Sequence, residues 1–487
     1  MRVVLFALNG SFAHTCLALR CLRRPLEAAG FEVLLIEKNL KDRRDEVLQS
    51  LYAAKADIYS FSCYIWNIEE SVALAEDLAA LLPNASILFG GPEVSFDTER
   101  FSSRPFIDCV VCGEGEDAVR ELCERIKRGE ELPRIVRASE PDVMGDEGIL
   151  YRDGDYRAGE MLYYESSRGC PYRCAYCLSS VGGRLRAKTV AAVLADMEAF
   201  EKLSADIKVI KFVDRTFNFD AARANAIWRA LLDEKFTKNY HFEICASLLN
   251  EESFEILRQF PKGKLQLEIG LQSTNPETLA AVARHVSPER VIEATRRIHE
   301  MGNIHVHLDL IAGLPCESYA RFGQSFNEAY FCADMLQLGF LKLLHGTALR
   351  RDAEKYGYIF MAKAPYTVLA TKWISRDELY RLSKIADLLD RFYSSGKFAQ
   401  SLDFAVRLAP SPFAFYEGLL AHLEASEGRD IRKLSQTNAF RVFYRYVATF
   451  TEGGDLATFE EKLHADYAAH EARRMPYSVI GGKKEKK

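Results

Sequence analysis

The sequence predicts an α/β protein with three parts: an N-terminal doubly wound, Rossmann-like parallel sheet, a central partial (β/α)6 barrel and a helical C-terminal domain. Two observations lead to this class. Short apolar runs alternate with amphipathic stretches over the first 130 residues and again over 161–347, whereas the pattern from 348 to 475 is mainly helical. Strands that alternate with helices are typical of parallel sheets.

The N-terminal part, residues 1–130, holds five predicted strands. They lie at 2–8, 31–37, 56–62, 85–91 and 106–113, with helices at 15–29, 43–54, 68–82 and 116–128. Ligands of such sheets bind at the carboxyl ends of the strands, where small residues permit close approach. The candidate ligand-binding residues at these ends are Asn9, Ser11, Ser62, Gly90, Gly91, Gly113 and Glu114. The alternative interpretation is that the glycines merely end the strands.

A polar segment at 131–160 is predicted to be a linker, with room for one small hairpin. Six further strands end near residues 168, 213, 246, 271, 311 and 343, and helical patterns such as 190–203 and 288–301 separate them. This succession predicts the partial barrel over 161–347, with its active face at the strand carboxyl ends. A helical domain is expected over 348–475 and a disordered tail over 476–487.

Composition excludes several classes of protein. No run of 18 apolar residues is present, which argues against a membrane span, and the first residues lack the features of a signal peptide. With 64 basic and 69 acidic side chains, the sequence gives no sign of a nucleic-acid partner. Twelve cysteines in 487 residues are too few for a disulfide scaffold. We therefore expect a cytoplasmic protein with reduced thiols.

Three of these cysteines form the strongest motif in the chain. Cys170, Cys174 and Cys177 have the spacing C-x3-C-x2-C at the end of the first predicted barrel strand. Thiolates this close converge on one centre, and soft ligands of this kind select zinc or an iron–sulfur cluster. A structural zinc site needs a fourth Cys or His, which the following stretch lacks. Three ligands would leave one iron of a [4Fe-4S] cluster open for chemistry. Zinc, or three merely buried cysteines, are the alternatives.

The string RGCPYRCAYC resembles the signature of the radical S-adenosylmethionine (SAM) enzymes. Together with the N-terminal domain, it makes residues 1–345 similar to the subgroup that has an N-terminal cobalamin-binding domain. The C-terminal third resembles an uncharacterised extension found in one branch of that subgroup. The resemblance implies that the open iron binds SAM. An external one-electron reductant of the flavodoxin or ferredoxin type then drives cleavage of SAM to methionine and a 5′-deoxyadenosyl radical, which abstracts hydrogen from a substrate.

The resemblance also assigns SAM contacts to the ends of the later strands. Asp214 falls where the family holds the amino group, Arg284 could pair with the carboxylate, and the backbone of the fifth strand would hold adenine. The full set of implied contacts is Tyr176, Asp214, Glu243, Gln272, Ser273, Arg284, Ile311, Gly313 and His345. For His345, contact with substrate and a structural role are equally open.

Other cysteines and histidines have simpler interpretations. Cys109 and Cys112 should point to opposite faces of one strand, and Cys245 is best read as a small core residue. Cys316 follows the fifth strand, where some family members use an extra cysteine as a hydrogen-atom donor or auxiliary ligand. His305 and His307 share one side of a strand, where packing is favoured over metal ligation.

The sequence supports cobalamin binding less directly than it supports the cluster. The Asp-x-His-x-x-Gly loop of cobalamin-dependent mutases is absent, and His14 is the single histidine of the N-terminal domain. Two hypotheses result. The first is a cobalamin-dependent radical SAM enzyme that transfers a methyl group to an unactivated carbon. The second is a radical SAM enzyme without corrinoid, for example a methylthiotransferase, whose N-terminal domain binds substrate. The sequence does not identify that substrate.

Overall fold

A computed structural model describes residues 1–140, 144–145, 148–427, 430–470 and 475–480. The chain divides into two compact units. The first consists of residues 1–266, 342–355 and 360–367, and the second of residues 267–341, 356–359 and 368–487. Of the helices in these described ranges, none combines the length and the apolar character that crossing a membrane requires.

The first unit begins with a six-stranded parallel sheet. Its strands are β1 (Arg2–Asn9), β2 (Glu32–Asn39), β3 (Ile58–Ser62), β4 (Ser86–Gly90), β5 (Cys109–Cys112) and β6 (Ile135–Arg137). They lie in the order β2-β1-β3-β4-β5-β6, and all neighbours are parallel. The direction of winding reverses between β1 and β3, so a crevice for ligands is expected at the carboxyl ends of these two strands.

Helices cover both faces of this sheet. They are α1 (Leu17–Ala28), α2 (Arg44–Ala54), α3 (Ile68–Leu81), α4 (Pro92–Ser95), α5 (Thr98–Ser102) and α6 (Gly115–Lys127). Successive side chains of β1 enter two separate apolar cores: Val4 and Phe6 lie on one face, Val3 and Leu5 on the other. Strands that are buried on both faces have continuous apolar sequences, and for this reason they could be predicted from the sequence.

Strand β6 lies within the range for which a linker was predicted. Its three residues pair with β5, but a run this short carries no readable alternation. Later residues of the same range are fastened to α1. Arg23 makes a two-pronged ion pair with Asp155 at 2.7 Å, and the buried Arg20 donates to the Asp155 carbonyl at 2.5 Å. Asp155 therefore attaches this segment to α1 of the N-terminal domain.

A second parallel sheet follows in the chain. In the first unit this sheet comprises β7 (Leu162–Tyr164), β10 (Val209–Phe212) and β11 (Asn239–Ile244). The short antiparallel pair β8 (Ser167–Arg168) and β9 (Arg186–Ala187) forms a separate two-stranded sheet. Strand β10 pairs in parallel with both β7 and β11. The helices here are α7 (Val190–Glu201), α8 (Ala221–Leu231) and α9 (Glu251–Leu257).

The second unit continues the alternation of strands and helices. Its elements are β12 (Leu265–Gln272), α10 (Pro276–Ala281), α11 (Pro288–His299), β13 (His305–Ala312), α12 (Tyr319–Ala329) and β14 (Met335–Phe340). Strands β13 and β14 pair in parallel over six residue pairs. After β14 the chain forms α13 (Ala348–Arg351), β15 (Ile359–Phe360) and β16 (Val368–Ala370).

Helices dominate the C-terminal residues, as the sequence predicted. They are α14 (Arg376–Leu389), α15 (Ala399–Leu408), α16 (Pro412–Glu427), α17 (Gln436–Val447), α18 (Gly453–His470) and α19 (Tyr477–Ile480). Helix α19 falls inside the range for which a disordered tail was predicted, and residues 481–487 of that tail lie outside the described residues. The predicted α/β class, with two parallel sheets and a helical C-terminal region, is confirmed.

The turn after β4 yields a prediction about stability. Gly91 has a φ of +114°, and a Cβ atom at this position would lie 2.6 Å from the Cys63 carbonyl oxygen. We expect Gly91→Ala to lower the free energy of unfolding by about 2 kcal/mol, because both backbone strain and a steric clash arise. Urea denaturation followed by circular dichroism measures this change.

Gly10 provides the matched control, since a Cβ atom there meets nothing within 4 Å. Gly10→Ala should change stability by less than about 0.5 kcal/mol. Equal denaturation midpoints for the two variants would show that the β4 turn does not need glycine.

Candidate functional site

The three cysteines of the motif lie on one loop of the first unit, residues 169–185, which we call the cysteine loop. Cys174 is buried, and Cys170 and Cys177 are half-buried. The Cys170 sulfur lies 3.6 Å from the Thr216 hydroxyl, which follows β10. The donor set, three thiols on eight consecutive residues, fits an iron–sulfur cluster.

A fully buried carboxylate, Asp214, fixes the residues that lead into this loop. It accepts hydrogen bonds from the backbone N–H of Ser166 at 2.9 Å, from the Ser166 hydroxyl at 2.6 Å and from the Ser167 hydroxyl. Arg223 donates to the Ser166 carbonyl oxygen at 3.1 Å. Burial raises the pKa of Asp214, against these donors. Its oxygens are thus used by two serines, where the family resemblance led us to expect a SAM contact.

Strands β8 and β9 form the neck of the cysteine loop, and Glu114 contacts both of them. Arg168 of β8 donates to Glu114 at 2.8 Å, and Arg186 of β9 forms an ion pair with the same carboxylate. Burial raises the pKa of Glu114, but the two guanidinium groups outweigh that effect and leave the pKa lowered. Glu114, which was predicted to contact a cofactor, therefore forms ion pairs with Arg168 and Arg186 instead.

The carboxyl ends of β1 and β3 carry several of the predicted ligand-binding residues. Asn9 donates to the His14 carbonyl at 2.9 Å and to Glu37 at 2.8 Å, and so holds the loop after β1. The Ser11 hydroxyl lies 3.4 Å from the Ala13 N–H in that loop. The His14 ring is hydrogen-bonded through Nδ1 to the Tyr163 hydroxyl at 2.6 Å, and burial lowers its pKa.

Large apolar rings are exposed at the same edge of the sheet. Phe12, after β1, is 74% exposed and Trp66, after β3, is 50% exposed. Trp66 is held in place by stacking on Tyr64 at 4.4 Å and by donating to the Leu8 carbonyl at 3.2 Å. Beside them Ser62 is buried at the end of β3. Exposed aromatic surface next to small residues suits a large, flat, partly apolar ligand.

Two further residues of the first unit were expected to contact SAM. Tyr176 lies within the cysteine loop and is half-buried, and Glu243 of β11 faces Arg215 at 3.7 Å. Cys245, predicted as a core residue, is buried and receives a hydrogen bond from the Tyr172 hydroxyl of the cysteine loop at 3.2 Å.

The second unit brings another group of predicted residues together at the end of β12. Ser273 is fully buried and donates to Glu317 at 2.5 Å, and Arg284 donates to the Gly270 carbonyl. Gln272 has a φ of +72°. Within the part of the chain that the structure describes, the Gln272 Oε1 and Glu317 Oε2 atoms are buried without a hydrogen-bond partner.

The fifth strand of the barrel region supplies the remaining predicted contacts of this unit. Ile311 lies on β13 and pairs with Gly339 of β14. Gly313 has a φ of +91°, and its carbonyl oxygen accepts a hydrogen bond from the Tyr358 hydroxyl at 3.1 Å. Cys316, three residues further on, has a φ of +63°, a conformation that glycine adopts with less strain.

His345 lies in a polar cluster of the first unit. Its Nε2 atom is 3.6 Å from Asp97, and its ring packs 5.0 Å from that of Tyr366. Tyr366 donates to the buried carboxylate of Glu93, which follows Gly91 in the β4 turn. Burial lowers the pKa of His345 and raises that of Glu93.

The other cysteines and histidines have structural surroundings. Cys109 and Cys112 belong to the two opposite apolar cores, as strand alternation predicted. The rings of His305 and His307 lie 4.7 Å apart, and His305 faces Asp334 at 3.8 Å. Among the described residues, no three His, Cys, Asp or Glu side chains are placed to hold a single metal ion.

Sequence reasoning missed several residues of the site. Their partners are 44 to 72 positions away in the chain: Ser166 and Ser167 bind Asp214, Arg186 binds Glu114, and Glu317 binds Ser273. Serine, arginine and glutamate are common residues with no informative spacing here. The one available signal was position, since Arg168 stands two residues before Cys170 in the quoted motif.

Three family models match successive parts of the chain. Residues 4–123 match the B12 binding domain, residues 164–329 match the radical SAM superfamily, and residues 354–487 match a family described as a protein of unknown function, DUF4080.

Curated relatives are similar over part of their length. A 2-(S-pantetheinyl)-carbapenam-3-carboxylate methyltransferase of Streptantibioticus cattleyicolor is 28% identical over 313 residues, covering 55% of this chain and 44% of the relative. The hopanoid C-3 methylase of Methylococcus capsulatus is 27% identical, covering 61% and 60%. The first four curated relatives are matched over only 44% to 61% of their length.

A solved structure shares the fold over nearly the whole chain. The radical S-adenosylmethionine methyltransferase TsrM of Kitasatospora setae, with cobalamin and a [4Fe-4S] cluster bound, superposes with a TM-score of 0.62 at 18% identity. The match covers 96% of this chain and 99% of that one. The chain thus joins a region that matches the B12 binding domain, a region that matches the radical SAM superfamily and a region that matches DUF4080, in that order. This order agrees with the resemblance to radical SAM enzymes that have an N-terminal cobalamin-binding domain.

The buried Glu317 yields a prediction about pH. Burial raises its pKa from about 4.5 to about 7, so the folded protein holds this proton more tightly than the unfolded chain does. The resulting stabilisation is present below pH 4.5 and is lost as the pH rises through about 7. Relative to Glu317→Gln, which cannot titrate, the wild type should lose on the order of 2 kcal/mol of stability between about pH 5 and pH 8.

Urea denaturation at a series of pH values measures this difference. Glu328→Gln, at an exposed position of α12, is the control and should follow the wild-type curve. Parallel pH profiles for the wild type and Glu317→Gln would contradict the assignment of a raised pKa.

Proposed function

We propose that this protein is a radical SAM enzyme that uses cobalamin to transfer a methyl group to an unactivated carbon atom. The observation that carries the proposal is the placement of three cysteines on one loop whose neck is bound to the B12-binding-type domain through Glu114. The matches to both family models support it, as do curated relatives that are named as methyltransferases.

Cys170, Cys174 and Cys177 would ligate three irons of a [4Fe-4S] cluster. When bound, the cluster supplies the electron that cleaves SAM to methionine and a 5′-deoxyadenosyl radical, and a corrinoid supplies the methyl group. The chain keeps the three thiols in place through Asp214, whose serine partners immediately precede the loop. A one-electron donor of the flavodoxin or ferredoxin type in the cytoplasm is the proposed partner.

SAM is proposed to contact residues at the ends of the later strands and in the cysteine loop. Gln272 has a buried amide oxygen without a partner among the described residues, which suits a donor of the ligand. Arg284, Tyr176 and Glu243 are proposed to orient the remaining polar groups, and the backbone near Gly313 to contact adenine. Ser273 is proposed to act indirectly, because its hydroxyl is donated to Glu317.

Cobalamin would lie at the carboxyl edge of the N-terminal sheet. The exposed rings of Phe12 and Trp66 offer apolar surface to a corrin, and Ser62 and Gly91, at the ends of β3 and β4, are proposed to contact its nucleotide tail. The Nδ1 atom of His14 is hydrogen-bonded to Tyr163, so any bond from this ring to cobalt would have to use Nε2.

The alternative of methylthio transfer has less support. That chemistry calls for three further cysteines that share a second cluster. The buried cysteines of the N-terminal domain are instead divided between two apolar cores, Cys63 and Cys112 in one and Cys16, Cys109 and Cys123 in the other. The substrates named for the relatives, a carbapenam and a hopanoid, differ from each other. Methylation of carbon is therefore the property that we carry over.

Removal of one cluster ligand tests the site. Cys174→Ala should lower bound iron and sulfide severely and abolish reductive cleavage of SAM, because two thiols do not hold the cluster. Iron analysis and quantification of 5′-deoxyadenosine measure both. Cys21→Ala, at a half-buried position on α1, should behave as wild type. Undiminished 5′-deoxyadenosine formation by Cys174→Ala would refute the assignment.

Corrinoid binding tests the other half of the proposal. Protein purified anaerobically with hydroxocobalamin should retain about one corrinoid per chain after desalting, as expected for a single B12-binding-type domain, and absorbance measures it. No retention, with SAM cleavage intact, would show that the N-terminal domain serves another ligand.

A further inference from the structure

The neck of the cysteine loop is a small structure with an unusual concentration of charge. Strands β8 and β9 contain two residues each, and their only two pairs are Ser167 with Ala187 and Arg168 with Arg186. The two arginines are therefore cross-strand neighbours at the base of the loop that carries the cluster ligands. Without compensation, two adjacent guanidinium groups would repel each other and open the neck.

One carboxylate contacts both arginines. Glu114 accepts a hydrogen bond from Arg168 at 2.8 Å and pairs with Arg186, so it bridges the two strands of the neck. The Arg186 side chain is 6% exposed and that of Glu114 is 16% exposed, which shields these contacts from solvent. Arg168 also contacts Glu116 at 3.0 Å and Glu165 at 2.7 Å. Arg186, the more buried arginine, is paired with Glu114.

Glu114 does not belong to the barrel region but to the N-terminal domain. It is the residue before α6, at the carboxyl end of β5. The preceding Gly113 has a φ of +89° and donates its N–H to the Ser95 hydroxyl at 3.3 Å. Ser95 in turn donates to the Gly91 carbonyl at 2.8 Å. A continuous set of hydrogen bonds thus runs from the β4 turn, at the proposed cobalamin edge, to the neck of the cysteine loop.

We infer that Glu114 is a positioning residue through which the N-terminal domain fixes the cysteine loop. The first consequence concerns the protein without cofactors: loss of the Glu114 charge loosens the neck. The second rests on the proposed function: a corrinoid at the β4 turn alters the surroundings of the cluster through Gly91, Ser95 and Glu114. Glu114 itself contacts neither the reacting atoms nor the cluster.

Hydrogen–deuterium exchange of the cofactor-free full chain tests the first consequence. Glu114→Gln should speed amide exchange over residues 166–187 by about tenfold, since opening no longer breaks charge-assisted bonds. Glu121→Gln removes an exposed carboxylate from α6, 66% exposed and 3.6 Å from Arg120, and should exchange as wild type. Arg186→Lys keeps the charge without the planar donor and should show a smaller increase. If Glu114→Gln does not fold, Arg186→Lys is the variant that tests the role of the neck.

Spectroscopy of the cluster tests the second consequence. In the wild type and in Glu121→Gln, added hydroxocobalamin should shift the g values of the reduced cluster, which are read apart from the resonance of the cob(II)alamin that forms under reduction. In Glu114→Gln the g values of the cluster should stay the same with and without corrinoid, at unchanged iron content. Wild-type exchange over 166–187 in Glu114→Gln would overturn the positioning role, and a retained spectral response would overturn the coupling. If the wild type binds no corrinoid, the proposed function fails, while the exchange experiment still decides the role of Glu114.

Discussion

The structure depends on holding three thiols at fixed positions on a loop that has almost no regular secondary structure of its own. A loop of this kind keeps its shape only if the residues at its two ends are immobile. Asp214 provides the first fixed point: its carboxylate carries a burial penalty that the Ser166 and Ser167 donors offset. Glu114 provides the second, since it spans both strands of the neck.

These two carboxylates have different relations to the fold. Asp214 follows β10 of the second sheet and binds residues that follow the neighbouring strand β7, so it is part of the barrel region's own construction. Glu114 follows β5 of the N-terminal sheet, and its side chain links the edge of that sheet to the neck of the cysteine loop. The cysteine loop is therefore held at one point by a residue of the barrel region, Asp214, and at another by a residue of the N-terminal domain, Glu114.

Much of this arrangement could be predicted from the sequence, for reasons that differ between elements. Strands such as β1 are buried on both faces and read as apolar runs, and the Cys170, Cys174 and Cys177 spacing specifies its chemistry directly. Strand β6 was not predicted because three residues are too few to show the alternation of apolar and polar side chains that indicates a strand.

The roles of individual polar residues were harder to predict. Glu114 and Asp214 stood at the expected strand ends, but their functions are set by partners about 50 to 70 residues away, which only the fold brings close. Strand patterns therefore placed Glu114 and Asp214 at the edges of the sheets, but they could not supply the partners of these residues.

The division of the chain into two units has an evolutionary consequence. Residues 342–355 and 360–367 follow the last strand of the second sheet in sequence, yet they belong to the first unit together with the N-terminal domain. Tyr366 satisfies the buried Glu93, and Arg350 lies 4.8 Å from the Tyr366 ring. A recombination that removed everything after residue 347 would remove Tyr366, which donates a hydrogen bond to the buried Glu93 carboxylate of the N-terminal domain. The C-terminal extension could therefore be exchanged between relatives as a module only if the crossover fell beyond residue 367.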